Sequence, residues 1–283
     1  MKFQAIKGTR DFYPETMRLR NYIIDTWRRV SLRNGFEEYD APILENLSLF
    51  TVKSGEEIAE QLFSFTDRGG RNIAMRPELT PSLARMVGAK INALPRPIKW
   101  FAVPRLFRAE RPQRGRLREF FQWNIDIVGE ESIQADAECI YTLIDFLREV
   151  KLTPADIQIH IGLRPAVSAM LTQYGVAEEA MDKAFLALDK KPKIPAEAFE
   201  TMMTDLGLSA EQIQNITTFM DCPSEQAIQQ LASIEGIDEH AENLQRLWDI
   251  LTTMGVADYI RFDFHIVRGL AYYTGVVYEA LAA

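Results

Sequence analysis

The pattern that decides the fold lies in residues 107–129, FRAERPQRGRLREFFQWNIDIVG. Its second half alternates between an apolar and a polar strand face. The apolar face consists of Phe121, Trp123, Ile125 and Ile127, and the polar face consists of Gln122, Asn124 and Asp126. Side chains two residues apart share one face of a strand, so the apolar set is predicted to lie against a core. The polar set predicts either a polar cleft or the solvent side of the sheet.

An arginine-rich loop precedes this strand. Six arginines lie between residues 105 and 118, with Gly115 in the middle. Guanidinium groups bind phosphate oxygens in a bidentate manner and stay charged, so such a loop between two strands suits a polyphosphate ligand. A solvated charged hairpin would have the same composition. The polar strand face that follows favours the ligand-binding interpretation.

The rest of the chain predicts an α+β fold, with a mostly antiparallel sheet flanked by helices. Residues 15–34 carry apolar side chains at helical spacing, and Asn34-Gly35 predicts the end of that helix. Further strands are predicted at residues 97–103, 118–129, 156–162 and 261–269. Pro42 interrupts a short strand in GFEEYDAPILE, which fits an edge strand or a subunit contact. Residues 165–255 have the pattern of successive short helices, which predicts a helical insertion between two strands of the sheet.

Composition narrows the possible functions. The 283 residues are 47% hydrophobic, which is enough for one large domain plus an insertion. The net charge of −8 does not indicate a nucleic-acid-binding protein by bulk charge. Cys139 and Cys222 lack metal-ligand spacing, and we expect a reducing, cytoplasmic compartment. The sequence has no run of 18 apolar residues, so we expect no membrane contact, and its three separated histidines predict no metal site.

Two further stretches carry candidate ligand contacts. In AMRPELTP, residues 74–81, Arg76 and Glu78 are predicted to share a strand face, and Thr80 is predicted to cap the next helix. Glu78 could receive a ligand ammonium group or could serve only as a salt-bridge partner. In residues 265–275, Arg268 adjoins Gly269, which would allow close backbone approach to a ligand. Tyr272 and Tyr273 follow, although tyrosines near a strand are usually core residues.

Together these stretches resemble class II aminoacyl-tRNA synthetases and, within that class, the histidyl-tRNA synthetases. KGTRDFYP (7–14) is similar to the family's N-terminal signature, GFEEYDAPILE (35–45) to motif 1, and FRAERPQRGRLREFFQ (107–122) to motif 2. RPELTP (76–81) and VRGLAYYTG (267–275) resemble its two histidine-specific segments. The resemblance implies a catalytic core in residues 1–164 and 256–283, with the helical insertion at 165–255 between them.

The resemblance also implies a reaction and a set of roles. Histidine and ATP, with Mg²⁺, would form histidyl-adenylate, and the histidyl group would then pass to tRNA(His). Arg268 and Arg108 would act at the α-phosphate, and Arg108, Glu110 and Arg116 would hold ATP. The histidine pocket would comprise Glu78, Thr80, Arg108, Gln122, Asp126, Arg268, Tyr272 and Tyr273. Motif 1, with Pro42, implies a homodimer.

Some features depart from the family pattern. Asp126 stands where a longer Glu is expected, and Ala271 stands where many members have an acidic residue. Motif 3 and an anticodon-binding domain would follow residue 283, so we expect a truncated or naturally short chain that binds histidine but activates it poorly. One alternative is the regulatory subunit of ATP phosphoribosyltransferase, a histidine-sensing relative without catalysis. Another is an inert scaffold that keeps only the dimer surface.

Overall fold

A computed structural model describes residues 3–52, 61–113, 115–266 and 274–283. The chain forms two compact units, residues 1–131 and residues 132–283. Within the described ranges, every helix is too short or too polar to cross a membrane.

Unit 1 combines two helices with short strands. Its helices are α1 (Pro14–Arg33) and α2 (Thr80–Lys90), and residues 47–52 are also helical. Its strands are β1 (Glu37–Glu38), β2 (Leu44–Asn46), β3 (Ser64–Thr66), β4 (Asn72–Met75), β5 (Ile98–Ala102), β6 (Arg105–Phe107), β7 (Glu119–Phe121) and β8 (Asn124–Val128). They pair in the orders β1-β5-β8, β2-β4-β3 and β6-β7, and of these pairs the one between β1 and β5 is parallel.

Helix α1 covers the apolar face that the alternation in β8 predicts. Pro14 occupies the first helical turn, where its missing N–H costs nothing, and the helix stops before Gly35, whose φ is +80°. The ring of Trp27 stacks on that of Trp123 at 5.9 Å. Trp123 Nε1 also donates a hydrogen bond of 2.9 Å to Ser31 Oγ. The polar set that begins with Gln122 therefore lies on the sheet face opposite α1.

Unit 2 is a helical array around one small sheet. Its α-helices are α3 (Ile133–Glu149), α4 (Arg164–Gln173), α5 (Met181–Lys190), α6 (Ala196–Thr204), α7 (Ala210–Met220), α8 (Ala227–Leu231) and α9 (Asp238–Thr253). Its strands are β9 (Ile157–Leu163), β10 (Ile260–Phe262) and β11 (Val276–Ala282), in the order β10-β9-β11. Strands β9 and β10 are parallel neighbours although most of the helices lie between them in sequence.

The helices of unit 2 share one hydrophobic core with its sheet. Ile144 of α3, Met203 of α6, Leu247 of α9 and Ile159 of β9 are all fully buried in it. Helix α7 begins with a capping box, since the Ser209 hydroxyl accepts from Gln212 N–H and the Gln212 side chain accepts from Ser209 N–H. The division of the catalytic core by an insertion at 165–255 stays a prediction.

The α+β fold class is confirmed. Among the strand pairs of the described residues, five of seven are antiparallel, and helices pack against them. The strand predicted at residues 261–269 was too long, because β10 ends at Phe262. Asp263 Oδ1 accepts a hydrogen bond from His265 N–H, which turns the backbone out of the ladder.

Candidate functional site

The long hairpin of residues 98–128 carries the arginine-rich loop at its far end. Its register is continuous, since Ala102 lies opposite Asn124 and Arg105 lies opposite Phe121. The ladder is interrupted at Pro104, which has no N–H to donate, although its carbonyl still accepts from Gln122 N–H at 3.3 Å. Beyond β6 and β7, Arg108 N–H donates to Arg118 O at 2.8 Å. The predicted strand-loop-strand arrangement is therefore present.

Two of the loop arginines have structural roles. Arg105 pairs with Glu119 at 3.0 Å across the β6–β7 ladder and lies over the Phe121 ring. Arg118 donates from Nε to Glu110 O at 3.0 Å, and its N–H donates to Gly8 O at 2.8 Å. A Cβ on Gly8, whose φ is +91°, would lie 2.8 Å from Arg118 Cγ, so the KGTR segment fits here only with glycine.

The predicted ATP contacts are available to a ligand. Arg108 is half-buried over the Phe120 ring, and within the described residues its guanidinium makes one hydrogen bond, a long one of 3.4 Å from Nε to Pro77 O. Arg116 is exposed near the tip, where Gln113 and Arg116 bridge around Gly115. The half-buried carboxylate of Glu110 makes no hydrogen bond or ion pair within the described ranges. Among the described residues, the hairpin thus presents two cations and one carboxylate that form no ion pair.

The prediction that Arg76 and Glu78 share a strand face was wrong, because β4 ends at Met75. Arg76 is buried and links three places: Asp40 Oδ1 at 2.7 Å, Ala41 O, and Arg105 O at 3.2 Å. Its guanidinium is therefore a structural clamp between the motif 1 segment and the hairpin. The buried Pro77 that follows cannot donate to a ladder, which explains the end of the strand.

Thr80 is the first residue of α2 and not its cap. The capping position is Leu79, whose backbone is helical and whose side chain makes no capping bond. Leu79 is fully buried in a cluster with Ala41 and Ala102. The two residues next to Leu79 are less buried: Thr80 is exposed and Glu78 is half-buried. The Glu78 carboxylate has no partner in the described residues. An uncompensated half-buried carboxylate is suited to receive a ligand ammonium group.

The polar face of β8 is half-buried. Helix α2 packs Leu83 and Val87 around Ile98 on this side of the sheet. Burial raises the pKa of the Asp126 carboxyl group to about 6. The raised pKa of Asp126 favours a polar cleft here over the solvent-facing side of the sheet. Carboxyl groups with raised pKa values are often found at ligand sites.

Sequence reasoning missed one residue beside this face. Tyr39 follows β1, its ring lies 5.4 Å from that of Trp100, and its hydroxyl oxygen is buried without a hydrogen-bond partner among the described residues. Burial raises the pKa of Tyr39, and the charge of Asp126 raises it further. A tyrosine after a two-residue strand gives no sequence signal of such a position.

The second histidine-specific segment predicted from the sequence, residues 267–275, lies largely outside the described residues. Arg268, Tyr272 and Tyr273 fall in residues 267–273, outside the described residues. The backbone just before this segment packs closely against β9, since a Cβ on Gly162 of β9 would lie 2.5 Å from Ile266 O. Whether these three side chains meet Glu78 and Asp126 stays a prediction.

Unit 2 holds a second polar cluster that the sequence did not predict. Asp263 accepts from His160 Nδ1 at 2.8 Å and from His265 Nδ1 at 3.1 Å. His265 Nε2 lies 3.0 Å from Asp221, which also accepts from Lys191 at 2.6 Å. The two histidines and the two aspartates line an open cavity of about 320 Å³. Among the described residues, no set of three His, Cys, Asp or Glu is arranged to hold a metal ion.

Comparison with known proteins identifies the family. The family model of histidyl-tRNA synthetase matches residues 8–283. The chain belongs to the histidyl-tRNA synthetase family. It is 40% identical over 273 residues to the histidine–tRNA ligase, chloroplastic/mitochondrial, of Arabidopsis thaliana, covering 96% of this chain and 56% of the relative. It is 42% identical over 282 residues to the histidine–tRNA ligase of Opitutus terrae, covering 98% and 64%.

Solved structures agree with this assignment. The histidyl-tRNA synthetase from Nostoc sp. PCC 7120 superposes with a TM-score of 0.87 at 25% identity, over 99% of this chain and 65% of that one. An ATP phosphoribosyltransferase regulatory subunit/histidyl-tRNA synthetase from Bacillus halodurans has a TM-score of 0.86 at 24% identity, over 99% and 72%, and shows the shared fold. The chain spans roughly three fifths of the length of the curated relatives, from 56% to 64%.

Proposed function

We propose that this chain provides the catalytic region of a histidine–tRNA ligase. Histidine would react with ATP to give histidyl-adenylate and pyrophosphate, and the histidyl group would then pass to the 3′ end of tRNA(His). The observation that carries the proposal is the polar face that runs from Gln122 into β8, where the half-buried Asp126 lies four residues from Gln122 on the same hairpin as the arginine-rich loop. The curated relatives at about 40% identity carry the same ligase name.

The amino acid would bind along the strand. Gln122 and Asp126 are roughly 13 Å apart at ~3.3 Å per residue, so they can contact opposite ends of one amino acid and its immediate surroundings. Glu78, Thr80 and Gln122 would hold the α-ammonium group, and the charge would come from the Glu78 carboxylate, which has no partner among the described residues. Arg108 would hold the carboxylate.

The imidazole would lie between Asp126 and Tyr273, with Tyr272 beside it. A carboxylate facing one ring nitrogen and a phenol facing the other select a ring with N–H and N groups. Side chains that lack these groups leave the pocket's polar atoms unpaired, which rejects them strongly. Asp126 has a shorter side chain than the Glu expected here, so neighbouring side chains would make more of the contacts to the imidazole.

The nucleotide would lie on the hairpin. Arg108, Glu110 and Arg116 would contact ATP, and the half-buried Glu110 supplies an oxygen donor of the kind that Mg²⁺ accepts beside phosphates. When bound with ATP, Mg²⁺ neutralises charge on the phosphate oxygens. The histidine carboxylate oxygen would form a bond to the α-phosphorus as the bond to the pyrophosphate oxygen breaks. Arg268 and Arg108 would stabilise the charge that develops at this centre.

The partners follow from the same family. Ile43 and Leu44, next to Pro42, expose 44% and 46% of their surface in the isolated chain. Exposed branched apolar residues around a motif 1 proline support a homodimer through this segment. Histidine, ATP and tRNA(His) would be the substrates, and the compartment would be the cytoplasm.

The test is histidine-dependent exchange of labelled pyrophosphate into ATP, with the twenty amino acids supplied one at a time. The proposal predicts exchange above background with histidine alone. Exchange that depends on a different amino acid, or that does not depend on histidine, would contradict it. Histidine binding without any exchange would instead favour the regulatory-subunit alternative.

A further inference from the structure

Three neighbouring strands of unit 1 place Tyr39, Ala102 and Asn124 in one row. In the parallel pair, Glu38 lies opposite Phe101, and Tyr39 N–H continues the ladder by donating to Phe101 O at 2.9 Å. That register sets Tyr39 beside Ala102, and Ala102 lies directly opposite Asn124. Directly opposite residues share a sheet face, so all three side chains rise from the same side.

The two ends of this row carry buried polar atoms with no partner. Within the described part of the chain, neither the Tyr39 hydroxyl oxygen nor Asn124 Oδ1 makes a hydrogen bond. Such groups are rare in folded proteins because each loses its bonds to water and gains nothing in return. Two of them in one row, separated by a residue as small as alanine, indicate a place where a ligand supplies the missing bonds.

The surroundings of Tyr39 fix its ring and orient its hydroxyl toward charge. Its ring packs on Trp100, and Trp100 lies directly opposite Asp126. The Asp126 carboxylate is close enough to raise the pKa of Tyr39, yet the two groups form no direct hydrogen bond. The nearby Arg76 is already committed to Asp40, Ala41 and Arg105. The phenol is therefore held near Asp126, with its hydroxyl unpaired among the described residues.

We propose that Tyr39 and Asn124 complete the amino-acid pocket beside Asp126, and that Tyr39 is a specificity-determining residue for an N–H-bearing azole side chain. This inference rests on the proposed histidine activation and adds two residues to its pocket. Asn124 Oδ1 accepts a hydrogen bond from the ligand side. The Tyr39 hydroxyl bonds the same polar group and supplies the reach that the short Asp126 side chain lacks.

A purely structural role for the hydroxyl makes the opposite prediction. If the Tyr39 hydroxyl stabilised the fold, its removal would lower the free energy of unfolding. If it is reserved for a ligand, removal relieves a buried unsatisfied group, and the ligand-free chain becomes as stable as the wild type or more so. Stability and ligand affinity therefore move in opposite directions only under the pocket assignment.

The experiment is isothermal titration of L-histidine and of L-phenylalanine into the wild type, Tyr39→Phe and Asn124→Ala, with Tyr22→Phe as the control. Tyr22 lies on α1 with half of its surface exposed. We expect Tyr39→Phe to weaken histidine binding about tenfold, to leave phenylalanine binding unchanged and to retain full stability in urea. Asn124→Ala should weaken histidine binding in the same direction, and Tyr22→Phe should match the wild type.

Three outcomes would overturn the inference, and they are distinguishable. If the wild type binds histidine and Tyr39→Phe binds it equally well, the added role of Tyr39 is wrong while the proposed function stands. If the wild type binds no histidine, the proposed function fails, and the inference fails with it. If Tyr39→Phe lowers the free energy of unfolding as much as it weakens histidine binding, the hydroxyl stabilises the fold and is not reserved for a ligand.

Discussion

Asp126 lies directly opposite Trp100 in the β5–β8 ladder, and burial raises the pKa of its carboxyl group to about 6. Trp100 and the α2 residues Leu83 and Val87 pack together on this side of the sheet. Among the described residues the Asp126 carboxyl group has no hydrogen-bond partner. We infer that a ligand supplies the compensating N–H groups.

The first prediction concerns how far the buried Asp126 carboxyl group lowers the free energy of unfolding. Its folded pKa of about 6 exceeds the ordinary 3.8, so the native chain binds the proton more tightly than the unfolded chain. The free energy of unfolding therefore falls as pH rises from about 4 to 6 and stays reduced above that range, by about 3 kcal/mol. Asp126→Asn removes this penalty. Its stability relative to the wild type should rise by about 2–3 kcal/mol between pH 4.5 and 7.5.

Urea unfolding followed by tryptophan fluorescence measures this directly, because Trp27, Trp100 and Trp123 lie in unit 1 and Trp248 alone lies in unit 2. A difference between the variant and the wild type that is the same at both pH values would mean that Asp126 is solvated.

The second prediction concerns Arg76. Its guanidinium is buried and donates to three acceptors, so Arg76→Lys, which has no planar fork, should lower the free energy of unfolding by about 2–4 kcal/mol. Arg71→Lys is the matched control, because the Arg71 side chain is 75% exposed in its pair with Asp67 and should contribute less than about 1 kcal/mol. Equal effects in the two variants, measured by urea unfolding, would exclude a clamp role.

The third prediction concerns Asp263. Burial alone would raise its pKa, but hydrogen bonds from His265 and His160 outweigh burial and hold the pKa well below 3.8. Because the folded pKa is lowered, the stabilisation is present above about pH 4 and is lost as pH falls below that value. Asp263→Asn should therefore destabilise the chain at pH 7 by about 2–3 kcal/mol in thermal or urea unfolding. Asp205→Asn, on an exposed helix end, should have little effect, and a matching loss there would contradict the cluster's role.

The fourth prediction concerns Arg268, whose role comes from the family. If it stabilises charge at the α-phosphate, Arg268→Ala should depress histidine-dependent pyrophosphate exchange by a factor of roughly 100 to 1000. Histidine affinity should change far less, since the interaction forms in the transition state. Titration and exchange measured on the same preparation separate the two effects. Equal losses in both would make Arg268 a binding residue only.

Local patterns predicted much of unit 1. The alternation from Phe121 to Ile127 predicted which face meets α1, and Pro42 marked the gap between β1 and β2, because both signals depend on adjacent residues. The arginine-rich hairpin was predicted for the same reason. These features need no knowledge of which strands are neighbours in space.

Long-range pairing accounts for the rest. Arg76 was predicted only to share a strand face with Glu78, and its acceptors Asp40, Ala41 and Arg105 lie 29 to 36 residues away. His160 and Asp263 are 103 residues apart and meet because β9 and β10 pair across the helical segment. Tyr39 gains its significance only from strand neighbours near residues 102 and 124. None of these contacts leaves a periodic signal in the chain.

The most direct test of the central claim is calorimetric titration of L-histidine into the wild type, Asp126→Ala and Asp136→Asn. Asp136 is a second carboxyl group whose pKa is raised by burial, but it lies on α3 in unit 2. The polar face of β8 as the histidine pocket predicts binding to the wild type and to Asp136→Asn, and a loss of about tenfold or more in Asp126→Ala. Unchanged histidine affinity in Asp126→Ala would contradict it.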